Sequence, residues 1–170
     1  TGAVPVRGDL AQVDAVIERM HEHDATVFAA QLMLQDEFDT VSALLRGVEG
    51  RDHGFVFTSG TGLLSQRTDG AWSEDSFAED DSFVPSRYIG FRLVTETLVR
   101  QAGSSGAARA MVIRPPMIWG NGGCGHLRML YTDAGRSGNV GYIGAGLNLY
   151  SNVHVEDLAD AHLLALRRME

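Results

Sequence analysis

Short apolar runs alternate with longer amphipathic stretches along most of this chain. Residues 1–7, with Val4 and Val6, read as a strand broken by Gly8-Asp9. Leu10, Val13, Val16, Ile17 and Met20 then recur at helical spacing, with Asp9 placed to cap them. Residues 25–30 (ATVFAA) predict a buried strand, and Phe38, Val41, Leu44, Leu45 and Val48 a second helix ending near Gly50. A third strand, 54–59 (GFVFTS), runs into Gly60-Thr61-Gly62, and a polar, acidic stretch to Asp81 reads as a long loop of the kind that carries function. The pattern predicts a helix over 85–102 and a fourth strand over 109–114 that stops at Pro115-Pro116. After the glycine-dense segment 120–125 come a helix over 127–134, a glycine-rich stretch 141–146, a short strand over 152–155 and a closing helix over 156–168.

Strands alternating with helices of about twelve residues imply parallel pairing and right-handed crossovers, an α/β sheet. Ligands of such sheets sit at the carboxyl ends of the strands, which here carry Asp9, Ala29-Ala30, Ser59 to Thr61 and Arg114-Pro115-Pro116.

Composition narrows the partners. The chain has 170 residues, 44% hydrophobic and 21% charged, enough for one domain with a core. A net charge of −8 with no basic block argues against nucleic acid and against an anionic membrane surface. No apolar run approaches the ~20 residues of a membrane span, no signal segment opens the chain, and a single Cys124 permits no internal disulfide, so a cytoplasmic setting is expected. All 14 basic residues are arginine. The absence of lysine excludes a Walker loop, a Schiff base and a Ser-Lys nucleophile within this chain.

The chemistry centres on residues 85–100, PSRYIGFRLVTETLVR. On a helix, Tyr88 and Arg92 share a face, and a cation about 4 Å from a phenol in a partly buried site is worth on the order of 4 kcal/mol towards the phenolate. Such a phenol is an acid/base catalyst; an ordinary helix with an exposed tyrosine and solvated arginines uses the same residues. Thr58, Ser59 and Thr61 form a hydroxyl cluster at a strand end, and a hydroxyl with an activated tyrosine can share the proton of a carbinol or ketone, which is redox or epimerase chemistry. Gly120 to Gly125 satisfies G-x-G-x-x-G, but PPMIW separates it from the preceding strand and no acid follows about 20 residues on, so a substrate-side loop is expected rather than a dinucleotide fingerprint. Cys124 with His126, and His21 with His23, are too few for a metal site, and Ser59 lacks the glycine spacing of a hydrolase elbow.

Six segments, in order, resemble the extended short-chain dehydrogenase/reductase family, the NAD(P)-dependent epimerase/dehydratase group. They are VRGDL at 6–10, TVFAA at 26–30, GFVFTSG at 54–60, the helix with Tyr88, Arg92 and Glu96 against the family's Tyr-x-x-x-Lys-x-x-x-Glu, VIRPPMIWG at 112–120 and SNVHVEDLADAHLLAL at 151–166. The resemblance implies a Rossmann-like doubly wound parallel sheet without its first two strands and Gly-rich loop, which in the family would precede Thr1. It divides the chain into a partial NAD(P)-binding domain (1–116), a substrate-side region (117–150) and a return strand and helix (151–170).

It further implies an NAD or NADP cofactor held by Asp9, Leu10, Ala29, Ala30, Thr58, Ser59, Tyr88, Arg92, Pro115, Pro116 and Ile118. Tyr88, Arg92 and Thr61 or Ser59 would be catalytic, the substrate a small carbinol or ketone, and no metal is involved. A homodimer would pair the helices carrying Val41, Leu45, Leu93 and Leu98. The chain departs from the family pattern where Arg92 replaces the lysine, Gly60 stands at the usual catalytic hydroxyl position, and Glu37 falls where an asparagine is common. The expected function is an epimerase, dehydratase or reductase working by hydride transfer; the alternative is a non-catalytic binding or regulatory module. Weak or no cofactor binding is expected of this chain alone, as of a fragment or shortened relative, and Arg92 is expected to do the lysine's work so that Arg92→Lys is mild.

Overall fold

The computed structural model describes residues 2–169. Five strands and five α-helices occur among the described residues, and they fall into two compact units. The first comprises the chain up to Ser59, Gly90–Ile113 and the chain from His162 on; the second comprises Gly60–Ile89 and Arg114–Ala161. Residues 60–89 thus belong with 114–161 rather than with the strands on either side of them.

In the first unit, β1 (Ala25–Phe28), β2 (Gly54–Thr58) and β3 (Arg109–Ile113) form a parallel sheet in that spatial order. The central position explains the unbroken apolar run of β2: Phe55, Val56 and Phe57 are fully buried, as a parallel strand covered on both faces requires. Helix α2 (Leu34–Gly47) connects β1 to β2, and α3 (Arg92–Ser104) precedes β3. The stripe Val41, Leu44, Leu45 and Val48 enters the core with Phe28, Phe57 and Val99, and α1 (Val13–Met20) covers it, Ile17 lying where a side chain on Gly47 would go. Each fully buried side chain of this size contributes about 1.5–3 kcal/mol, which is what orders the α2 and α3 faces towards the sheet.

Several expectations need correction. Residues 2–12 form no strand, and Val4 and Val6 are exposed: alternating valines do not make a strand without a ladder partner, and none pairs with them among the described residues. Thr1, the first residue of that expected strand, lies outside the described residues. Helix α1 starts at Val13 with Gln12 at its N-cap; Asp9 instead closes the turn before it, its carboxylate accepting from the Ala11 N–H at 2.9 Å. Helix α3 starts at Arg92, not near residue 85, and Leu93 N–H to Gly90 and Val94 N–H to Phe91 close a tighter turn ahead of it. Gly90 has low helix propensity and no side chain caps the end, so Tyr88 lies outside the regular helix. Of the residues assigned to a homodimer surface, Val41 and Leu45 are buried in the core and Leu98 packs against it.

The second unit holds a separate parallel pair, β4 (Met117–Trp119) and β5 (Asn152–His154), with α4 (Gly125–Ser137) between them in sequence. Strand β4 is too short to announce itself behind Pro115-Pro116. The expected return strand therefore pairs with β4, not with the three-stranded sheet. Helix α5 (Val155–Arg168) follows β5 directly.

Candidate functional site

In the first unit, the carboxyl ends of β1 and β2 present Ala29, Ala30, Thr58 and Ser59. Ser59 continues the ladder, its N–H donating to the Ile113 carbonyl at 2.8 Å, and this fixes its side chain in a buried position. The Ser59 hydroxyl has no hydrogen-bond partner among the described residues. Leaving a buried hydroxyl unpaired costs about 1–3 kcal/mol, so a polar group that reaches it is favoured. The neighbouring strand ends with Ala29 and Ala30, which carry nothing larger than a methyl. A small-residue ledge beside an unsatisfied hydroxyl fits a flat polar ligand laid across the strand ends, as a nucleotide cofactor would be. Thr58 does not offer its hydroxyl freely, because it is bonded to His162 Nε2 at 2.9 Å. Asp9 is exposed and off any strand, while Leu10 packs against the core, so neither stands at a strand end as the resemblance implied.

Arg92 is in the same unit, and its partner is Glu37. Arg92 Nε donates to Glu37 Oε1 at 2.9 Å and Nη2 to Oε2 at 2.5 Å, a bidentate clamp between α3 and α2. Glu37 is fully buried, whereas the Arg92 side chain is 18% exposed. Burial pushes the Glu37 carboxyl above its ordinary range, Arg92 pulls it back through the hydrogen bond and its charge, and nearby Glu96 pushes it up again. Glu96 is also fully buried and pairs with Arg100 at 3.2 Å. Sequence reasoning noted Glu37 only as standing where an asparagine is common and did not join it to Arg92. The signal was present: Glu37 lies four residues before Val41 on the apolar stripe of α2, where a charge needs a partner.

The second unit brings together the segments of Thr61 and Tyr88. Thr61 opens a 3₁₀ turn (Thr61–Leu64), its N–H donating to the Pro115 carbonyl at 3.0 Å. The Tyr88 segment docks on that turn: the Ser86 N–H donates to Leu63 at 3.0 Å, and Ile89 occupies the space beside Gly62. Tyr88 is 75% exposed, and the Arg87 guanidinium lies 5.1 Å from its ring centroid. Its ring lines a cleft of about 1260 Å³ with Phe77, Phe83, Ile143 and Tyr150. Part of that wall rests on backbone meeting backbone at residues 70 and 143: a Cβ on Gly70 would lie 1.8 Å from the Ile143 carbonyl oxygen. Pro115 is buried, Pro116 partly so, and Ile118 is exposed on β4.

The G-x-G-x-x-G segment follows β4 directly, so the expected separation from a strand does not hold. Its first glycine has another cause. Gly120 has φ +119°, and a Cβ there would lie 2.4 Å from His154 Nε2. The His154 ring, edge-on to Trp119 at 4.9 Å, takes the place of a side chain. Packing across the β4–β5 pair therefore accounts for this glycine without a phosphate.

A parallel α/β sheet with helices connecting its strands defines a Rossmann-like class of fold. The chain belongs to the NAD dependent epimerase/dehydratase family, whose model matches residues 6–170. It is 30% identical over 161 residues to an uncharacterized protein of Schizosaccharomyces pombe, covering 94% of this chain and 50% of that one. An uncharacterized protein of Saccharomyces cerevisiae is 29% identical over 173 residues, with 96% and 55% covered. Among solved structures, dTDP-glucose 4,6-dehydratase from Bacillus anthracis in complex with NAD superposes with a TM-score of 0.77 at 17% identity, over 97% of this chain and 55% of that one. UDP-glucuronic acid 4-epimerase from Bacillus cereus gives 0.77 at 14% identity, over 95% and 55%. The chain spans about half the length of the curated relatives it matches. No helix among the described residues is long and apolar enough to cross a membrane.

Proposed function

We propose that this chain belongs to an NAD(P)-dependent epimerase, dehydratase or reductase acting at a carbinol or ketone carbon of a small molecule, in the manner the names of its structural neighbours describe for nucleotide sugars. The observation that carries the reading is the unpartnered Ser59 hydroxyl, buried at the carboxyl end of the central strand β2. Ala29, Ala30, Ser59 and Arg92 would hold the cofactor. When bound, a nicotinamide dinucleotide supplies the hydride acceptor and donor for the reaction.

The chain's own groups handle the proton and the oxygen. Tyr88 Oη takes the carbinol proton as the C–O bond becomes C=O and returns it in the reverse direction, as a positioned acid/base does. The Thr61 hydroxyl, on the turn to which the Tyr88 segment is docked, bonds the same substrate oxygen and so fixes it for transfer. In this reading the aromatic cleft beside Tyr88 receives the body of the substrate.

The second reading is a non-catalytic member that keeps the fold as a binding or regulatory module. Arg92 favours it, since a guanidinium engaged by a buried carboxylate is not a free cation for tuning a phenol. One experiment separates the two. The intact protein is incubated with NAD or NADP and a panel of nucleotide sugars, and product is followed by absorbance and chromatography. Turnover that falls by about 10²–10⁴ in Tyr88→Phe supports the enzyme. Dinucleotide binding without turnover on any sugar, or turnover indifferent to Tyr88→Phe, sinks the catalytic assignment.

A further inference from the structure

We infer that Glu37 is a positioning residue for Arg92, and that the two act as a single charge-compensated fork which offers hydrogen-bond donors, rather than a net positive charge, to the cofactor. The inference rests on the cofactor reading above and adds a residue to it.

Both Glu37 oxygens are occupied by Arg92, from Nε and Nη2, so the guanidinium plane is fixed by two parallel bonds. Arg92 Nη1 is not engaged by either Glu37 oxygen. The carboxylate that does the fixing is fully buried, while the Arg92 side chain retains 18% exposure. The arrangement therefore has a hidden end and a presented end. Charge is balanced along the same face of α3: Arg92, Glu96 and Arg100 follow at four-residue intervals, and Glu37 and Glu96 answer the two arginines. A neutral hydroxyl suits the remaining donors better than a phosphate does, since no net charge is left to draw an anion.

A lysine at 92 facing Glu37 would be drawn to the buried carboxylate and held there as a point charge, lost to a ligand. With Glu37 made neutral, the same lysine would be released. The test is a fluorescence titration of NADH and NADPH on the intact protein, with melting temperature measured in parallel. Arg92→Lys and Glu37→Gln are each expected to weaken dinucleotide affinity by about tenfold, and the double variant to recover to within about threefold of wild type, a non-additivity that marks residues acting as a unit. Should either single variant fail to fold, Glu37→Asp keeps the charge but shortens its reach, and is expected to weaken affinity several-fold in a folded protein. Additive losses in the double variant, or affinity unchanged in all Glu37 variants while only the melting temperature moves, would overturn the inference alone. A wild type that binds neither dinucleotide would overturn the cofactor reading and this inference with it.

Discussion

The imidazole of His154 stands where a side chain on Gly120 would have to go, 2.4 Å from the ideal Cβ position, and it packs edge-on against Trp119 across the β4–β5 pair. The backbone at Gly120, with φ +119°, is closed to residues bearing a Cβ for a second reason. Gly120→Ala is therefore expected to cost more than about 2 kcal/mol, the sum of backbone strain and a forced shift of a ring packed on Trp119. Adding His154→Ala should relieve the steric part and leave the strain. Urea denaturation followed by tryptophan fluorescence checks both, and an unchanged midpoint in Gly120→Ala would refute the packing account.

His53 gives the fold an acid-sensitive point. Its ring is buried, with Nδ1 bonded to the His23 carbonyl at 3.0 Å and Nε2 to the Thr26 hydroxyl at 2.9 Å. Burial lowers its pKa below the usual 6.5, the His23 carbonyl opposing and Arg109, His21 and Arg51 assisting. The unfolded chain thus takes up a proton near that value while the folded chain does not, so stability is full above it and falls as pH drops through the lower, folded pKa. His53→Gln should flatten the difference in urea midpoint between pH 7 and pH 5; a slope as steep as wild type would assign the acid sensitivity elsewhere.

Arg92→Lys, expected from the lysine-free composition to be mild, should be costly for stability as well as for binding. Lysine keeps the charge beside Glu37 but restores only one of the two bonds, so the loss should be a part of the cost, about 3–5 kcal/mol, of removing a partner from a buried ion pair. The Glu37 carboxyl is itself raised by burial, so its contribution is fully present below its unfolded pKa and is lost as pH rises through the folded one. Melting curves across pH should show Arg92→Lys losing most ground on the alkaline side; a loss independent of pH would mean the deficit comes from packing rather than from weaker compensation of the buried Glu37 charge.

Ser59→Ala should separate stability from binding. The hydroxyl is buried and bonds nothing among the described residues, so its removal is expected to leave the melting temperature unchanged or slightly raised. Dinucleotide affinity of the intact protein should fall by about tenfold. Equal effects on both would show that the hydroxyl serves the fold.

How far the sequence revealed the molecule depended on how locally each feature is encoded. The FVF run of β2 and the 41, 44, 45, 48 stripe of α2 are strong periodic signals, and both elements appear where they were expected. Val4 and Val6 give the same alternation, but a strand is a pairwise object and its partner is not written in its own residues. Strand β4 has three residues, too few for any period. The start of α3 turned on Gly90, a single weak position inside an otherwise helical pattern. The candidate site divides the same way. Ser59, Thr61 and Tyr88 could be picked out because hydroxyls and phenols at strand ends and turns are conspicuous, whereas the Arg92–Glu37 clamp joins residues 55 apart and needed the packing of α2 on α3 to be seen.

Among the described residues, strand β1 is hydrogen-bonded on one side only, to β2, and Val27 at its middle is 40% exposed. Its outer rim is a row of donors and acceptors spaced to receive another extended backbone. A solution of this chain on its own should therefore behave as a stock of nuclei: turbidity that grows with protein concentration, a thioflavin signal seeded by preformed material, and suppression of both by a proline or charge placed at Val27.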